Sequence, residues 1–137
     1  MNIHKARTIN LRKTKKEDRE FLESKSGTYV KGMKRQPRTR GGCKEVYRPC
    51  PFVGCKYHLY LDVSNDGTSI KFNFPEIMPE QMDPRASCAL DVALRGDHTL
   101  EEVGEMMNIT RERVRQIEEM ALLEVLDDEE LGRFYYD

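Results

Sequence analysis

The sequence is short of the features that most enzymes and membrane proteins display. No apolar run in its 137 residues is long enough to cross a bilayer, and the N-terminus carries charge without the hydrophobic core of a signal peptide. A cytoplasmic protein with no membrane partner is the plain expectation. No glycine-rich phosphate loop, carboxylate pair or nucleophile–base pair stands out, and His4, His58 and His98 are scattered. A small metalloenzyme such as a nuclease therefore ranks last, and the chain reads as a non-enzyme. Each half also lacks charge of one sign. Residues 1–60 hold 16 Lys/Arg against 5 Asp/Glu, and residues 61–137 hold 7 against 19, so a net charge of −1 hides a steep asymmetry. Such a split suggests a basic arm for nucleic acid and an acidic body that either avoids DNA or neutralises the arm.

Large apolar side chains are scarce over residues 1–42, where Glu17 to Leu22 offers at most one short helix. Lys31 to Gly42 reads as a basic loop, either a phosphate-tracking or minor-groove arm or a solvated tail. Four cysteines follow, Cys43, Cys50, Cys55 and Cys88, in the spacing C-x6-C-x4-C-x32-C. In a reducing compartment a disulfide framework is the weaker explanation, and Pro49, Pro51 and Gly54 keep the stretch irregular, as a ligand loop must be. Zinc favours a closely spaced ligand pair, which Cys55-Lys-Tyr-His58 could supply with His58 replacing a cysteine. A [4Fe–4S] cluster takes four thiolates and tolerates a remote fourth ligand. With no C-x2-C pair and with Cys50 followed by Pro51, the cluster is the reading taken and zinc the alternative. The fourth ligand, Cys88 or His58, stays open.

After the cysteines the period changes to two. Tyr57, Leu59, Leu61 and Val63 alternate with His58, Tyr60 and Asp62; Ile70, Phe72 and Phe74 alternate with Lys71 and Asn73. Asn65-Asp-Gly-Thr68 between them is a turn signal, so a β-hairpin is expected. Asp83-Pro84 reads as N-cap and N1 of a helix that Gly96 closes. If Cys88 is a ligand, a metal would bolt the hairpin to this helix and so govern the unit that follows.

The most informative stretch comes next. Thr99-Leu-Glu-Glu102 is a capping box, Leu100, Val103, Met106 and Met107 share a face, Gly104 permits close approach, and Asn108 suits a left-handed helix end. Thr110 then caps a second helix, with Ile109 and Val114 spaced as a hydrophobic staple. Val114, Ile117, Ala121 and Val125 form one stripe, and Arg111, Glu112, Arg115, Gln116 and Glu119 fall on the opposite arc. Arg111, Arg113 and Arg115 lie where the helix dipole is positive, at a cost of roughly 0.3–1 kcal/mol each at a surface. An anion is the reason to keep them there, and Arg with Gln at a helix start is the set that reads base edges in a major groove. The blander reading pairs these arginines with acids of the preceding helix. Leu122, Leu123 and Leu126 make the far end apolar nearly all round, which predicts burial there by the tail Leu131-Gly-Arg-Phe-Tyr-Tyr136 or the hairpin.

The run from Thr99-Leu-Glu-Glu-Val-Gly through Asn108-Ile-Thr-Arg-Glu-Arg-Val-Arg-Gln-Ile-Glu to Ala121-Leu122 resembles region 4 of housekeeping-type bacterial RNA polymerase sigma factors, over about residues 97–123. The resemblance implies a helix-turn-helix that reads a promoter −35 element, with Arg111, Glu112, Arg115 and Gln116 at the base- and phosphate-contacting positions. Two departures stand out. Glu124, Asp127, Asp128, Glu129 and Glu130 replace the family's basic tail, and the regions that melt promoters and bind the polymerase clamp have no room here. The expected architecture is α+β: a basic flexible arm (1–42), a metal-stapled β-hairpin module (43–82) and a helix-turn-helix domain (83–137). The expected function is sequence-specific regulation of transcription on double-stranded DNA, with Thr110, Arg111, Glu112, Arg113, Arg115 and Gln116 as contacts. The alternative is an adaptor that appropriates RNA polymerase, with DNA secondary.

Overall fold

A computed structural model describes residues 5–25 and 36–131. The chain forms two compact units, residues 1–97 and 98–137. In chain order the elements are β1 (Arg7–Asn10), α1 (Lys16–Lys25), α2 (Arg40–Lys44), β2 (Leu61–Val63), β3 (Ser69–Phe72), a 3-10 turn (Pro79–Gln81), α3 (Ala89–Leu94), α4 (Leu100–Met107) and α5 (Arg111–Asp127). Mixed α and β structure is therefore present as expected. Among the described residues no helix is long and apolar enough to cross a membrane.

The first unit is built on the expected hairpin plus a strand that the sequence did not advertise. β2 and β3 pair antiparallel with Leu61 opposite Phe72 and Val63 opposite Ile70. Gly67 takes φ 70° in the turn, where the Ser64 hydroxyl accepts from the Thr68 and Ser69 amides at 3.1 Å. β1 comes from the stretch read as an arm and pairs antiparallel with the other edge of β3, giving the order β1-β3-β2. A two-stranded hairpin is marginal in water, and the third strand makes β3 central. Ile9, opposite Ile70, is fully buried and is the apolar anchor of β1.

α1 confirms and lengthens the short helix expected at Glu17–Leu22. Phe21 stands edge-on to Phe72 with ring centroids 5.0 Å apart, and the Arg7 guanidinium lies 4.3 Å from the Phe21 ring centre while bonding Asp18 at 3.0 Å. Tyr60 packs edge-on to the other side of Phe72 at 5.9 Å and donates its hydroxyl to the Ile77 carbonyl at 2.8 Å. Burial pushes its phenol up to about 12.

Two expectations are corrected. Alternation does not extend through Tyr57–Tyr60: His58, Leu59 and Tyr60 are all buried, because this stretch is irregular and enclosed from more than one side. The helix expected from Asp83-Pro84 begins only at Ala89. Asp83 instead closes a local turn, its carboxylate accepting from the Arg85 amide at 2.9 Å and its carbonyl from the Ala86 amide at 3.0 Å. Ser87 and Cys88 are held extended by a backbone bridge to His58, which forbids helix until Cys88 has passed. Gly96, at φ 97°, follows α3 as expected.

Replacing Ile9 by Ala should cost the first unit about 2–5 kcal/mol, read as a lowered urea midpoint. A change within about 0.5 kcal/mol, as for an exposed site, would mean that β1 is no part of the core.

Candidate functional site

In the second unit, local capping chemistry sets the helix-turn-helix. Thr99 accepts from the Glu102 amide at 3.1 Å while the Glu102 carboxylate accepts from the Thr99 amide at 3.0 Å, which completes the capping box. α4 ends at Asn108, at φ 52° and ψ 47° in the left-handed region. Thr110 caps α5, its hydroxyl accepting from the Arg113 amide at 3.1 Å. The close approach expected at Gly104 is made by the turn itself. A Cβ there would lie 2.7 Å from the Ile109 carbonyl oxygen, and the Gly104 carbonyl accepts from the Ile109 amide at 2.9 Å.

α5 turns Val114 inward, and Arg111, Glu112, Arg113, Arg115 and Gln116 are all exposed. The apolar stripe is narrower than expected: Ile117 is 36% exposed, and Ala121 is exposed too. The arginines are engaged in ion pairs and hydrogen bonds. Arg111 reaches Glu101 of α4 at 3.1 Å, Arg115 forks onto Glu112 at 2.8–3.1 Å and Glu119 at 3.2 Å, and Arg113 donates to Gln116 at 3.3 Å. The Arg115 guanidinium holds the Glu112 carboxyl below its usual range. With the Arg111 and Arg115 side chains 67% and 51% exposed, such pairs are worth about 0–1 kcal/mol and yield readily to a phosphate.

Toward the C-terminus of α5, Met120, Leu122 and Leu123 are exposed, and with Leu100 and Arg115 the two leucines line a shallow groove. The expected burial of this end is not found among the described residues. The part of that expectation resting on the tail beyond Leu131 lies outside them. No basic side chain occupies the last turn of α5.

The cysteines lie in the first unit, where α2, the following loop and the start of α3 meet. α2 carries Cys43 and is capped by Thr39, which accepts from the Gly42 amide at 3.2 Å. The Arg48–Pro49 peptide is cis. Arg48 donates to the carbonyls of Cys43 at 3.0 Å and Val46 at 2.8 Å, and its guanidinium meets Asp91 of α3 at 2.6 and 3.2 Å. Arg40 reaches the same carboxylate at 2.7 Å. Hydrogen bonds from Arg48, then from Arg40, hold the Asp91 carboxyl down at about 2. Cys50 donates its amide to the Ser87 hydroxyl at 3.1 Å. His58, 2% exposed, bridges Cys88 through the backbone and donates its amide to the Cys55 carbonyl at 3.0 Å. All four cysteines are free of disulfides, and Cys88 is buried. Burial pushes the Cys50 thiol up, opposed by Arg48 and reinforced by the neighbouring Cys88 and Cys55. Among the described residues no three His, Cys, Asp or Glu side chains converge as ligands of one ion.

Comparison with known proteins bears on the second unit and the end of the first. Residues 80–126 match Sigma-70, region 4. The "RNA polymerase sigma factor RpoD" of Neisseria gonorrhoeae is 47% identical over 47 residues, covering 31% of this chain and 7% of that protein. No solved structure matches the chain. The region 4 match takes in α3, α4 and α5, so the resemblance read from Thr99 to Leu122 is borne out and extends further toward the N-terminus. Sequence reasoning missed the Arg40–Asp91–Arg48 cluster, because nothing in the spacing of residues so far apart along the chain announces one shared carboxylate.

Two outcomes are expected. Gly104→Ala should destabilise the second unit by about 1–3 kcal/mol through the clash with the turn; helix propensity alone would give a gain of about 0.5–1 kcal/mol. Thermal unfolding decides the sign. Because the folded state lowers the Asp91 pKa from 3.8, its contribution is present above pH 4 and disappears as pH falls toward 2. Asp91→Asn should remove that acid-sensitive part, and an unchanged acid-unfolding profile would refute the assignment.

Proposed function

We propose that the chain is a sequence-specific DNA-binding regulator of transcription that reads promoter-like double-stranded DNA through α5. The observation carrying this reading is that the Sigma-70, region 4 match coincides with a capped helix-turn-helix whose second helix starts with an exposed arginine-rich arc. Arg111, Arg115 and Gln116 have the donors to address guanine and adenine edges or phosphates, and Glu112 can accept from cytosine. Thr110 and Arg113 flank that arc at the helix start, where amides and side chains meet a phosphate. The chain spans only 7% of the length of the sigma factor it matches, so it takes from that relative a DNA-reading element and not a whole factor's activity. A region 4 element works by binding rather than by chemistry, which favours a non-enzymatic role.

A second reading has the same unit serve as an adaptor on RNA polymerase, with DNA secondary; the exposed Met120, Leu122 and Leu123 favour it, since large apolar side chains gathered on one helix suit a protein partner. We further infer that Cys43, Cys50, Cys55 and Cys88 bind a metal centre, a [4Fe–4S] cluster in preference to zinc, through which the first unit would influence the DNA-reading one. Cys88 immediately precedes α3, and the chain runs from α3 directly into α4.

The test is the double substitution Arg111→Ala, Arg115→Ala. Each good base contact is worth about 1–3 kcal/mol, so binding to a −35-like duplex should fall at least about 30-fold while polymerase capture is unchanged. Undiminished specific binding by the double variant would remove α5 as the reading helix. Loss of polymerase capture with DNA binding retained would favour the adaptor.

A further inference from the structure

We propose that the metal centre is held by four thiolates, those of Cys43, Cys50, Cys55 and Cys88, and that His58 is the residue that positions them and not itself a ligand. This rests on the metal reading above and decides which donors it uses, a choice the spacing left open because Cys55-Lys-Tyr-His58 has the look of a zinc ligand pair.

The imidazole has no nitrogen to give. Nδ1 accepts from the Tyr60 amide at 3.1 Å, which fixes the ring proton on Nε2, and Nε2 donates it to the Cys50 carbonyl at 2.8 Å. The ring is buried, so turning either nitrogen to a metal would strand a buried amide or carbonyl, at about 1–3 kcal/mol. The same residue organises three of the four cysteines. It bonds the Cys50 carbonyl through its ring and the Cys55 carbonyl through its amide, and it forms a backbone bridge with Cys88. The bridge is closed on both sides, by Leu59 donating to Ser87 and Ala89 donating to Tyr57, each at 2.9 Å. Ser87 returns to Cys50 through its hydroxyl.

Cys43 is drawn to the same place by charge. Arg48 holds the Cys43 carbonyl at 3.0 Å and Asp91 at 2.6 Å, and Asp91 lies in the first turn of the helix that Cys88 precedes. Asp91 offsets only one of the two guanidinium charges of Arg40 and Arg48. The surplus positive charge suits a centre made of four anionic sulfurs, which otherwise carries a costly net negative charge. The frame therefore fixes four cysteine backbones from three segments, and the orientation of the thiols is what a metal would set. Buried partners that orient ligands without touching the metal are the usual surroundings of such centres.

The experiment uses the full chain purified without oxygen, and in parallel refilled with ferrous iron and sulfide or with zinc. Metal and acid-labile sulfide are counted, and X-ray absorption at the metal edge reads the first shell. A sulfur-only shell at about 2.3 Å is expected, whether the metal is clustered iron or zinc. Cys43→Ala, Cys50→Ala, Cys55→Ala and Cys88→Ala should each lose the native centre. His58→Gln should weaken metal binding about 10–100-fold yet leave the sulfur-only shell intact when metal is supplied in excess. A nitrogen scatterer at about 2.0–2.1 Å in the wild-type protein, lost in His58→Gln, would overturn the ligand assignment while leaving the metal reading standing. A Cys88→Ala variant that keeps the full centre would do the same. A wild-type chain that takes up neither iron with sulfide nor zinc overturns the metal reading and this proposal together.

Discussion

The carboxylate of Asp91, gripped by Arg40 and Arg48, is the interaction on which the cysteine-bearing part of the first unit depends. α2 has five residues and α3 six, well short of the length at which a helix is stable in water, so each must be held by tertiary contacts. The carboxylate takes a guanidinium from α2 and another from the loop between Cys43 and Cys50, and Arg48 spends its remaining donors on carbonyls of that loop. With side chains only 18–28% exposed, the cluster is poorly screened by solvent. Removing the carboxylate would leave two guanidinium groups facing each other with no anion between them, a heavier loss than that of an exposed pair. The sheet beside it relies on different forces. There Phe72 is packed edge-on between Phe21 and Tyr60, and Ile9 seals the far edge.

The second unit shows the opposite economy: few buried residues and much capping. Val114 is the buried residue of α5 and Gly104 that of α4, and the turn between them is specified by Thr99, Glu102, Asn108 and Thr110. α5 is charged against its own dipole at both ends, with Arg111, Arg113 and Arg115 in its opening turns and Glu124 and Asp127 in its last. Each such charge costs roughly 0.3–1 kcal/mol at a surface. Exposed pairs such as Arg115 with Glu112 recover part of this within the free protein, and they are weak enough to exchange for phosphate oxygens. That balance, tolerable alone and improved by an anion, is the physical content of the DNA-binding reading.

How much of this the sequence disclosed depended on how local the signals were. The helix-turn-helix was legible because its determinants sit within three residues of the groups they satisfy: Thr99 with Glu102, Thr110 with the Arg113 amide, Asn108 at its own φ. The hairpin was legible because Asn65-Asp-Gly-Thr68 is a turn flanked by alternating residues. β1 was not, because one apolar residue, Ile9, among polar neighbours gives no period, and its partner strand lies some sixty residues on. α3 was misplaced because Asp83-Pro84 is a sound local start signal that long-range order overrides: Ser87 and Cys88 are needed extended against His58. The site residues of α5 came from the helical wheel and are exposed as that wheel requires. The role of His58 could not be separated from ligation, since only its two hydrogen bonds distinguish a scaffold from a donor.

The most direct test of the account is selection of duplexes from a randomised DNA pool by the full chain, repeated with the Arg111→Ala, Arg115→Ala variant. The account predicts enrichment of one short motif by the wild-type protein, with the enrichment lost in the variant although both retain salt-sensitive attraction to DNA of any sequence. Equal recovery of all sequences by the wild-type chain, or the same motif enriched by the variant, would contradict the claim that α5 reads DNA.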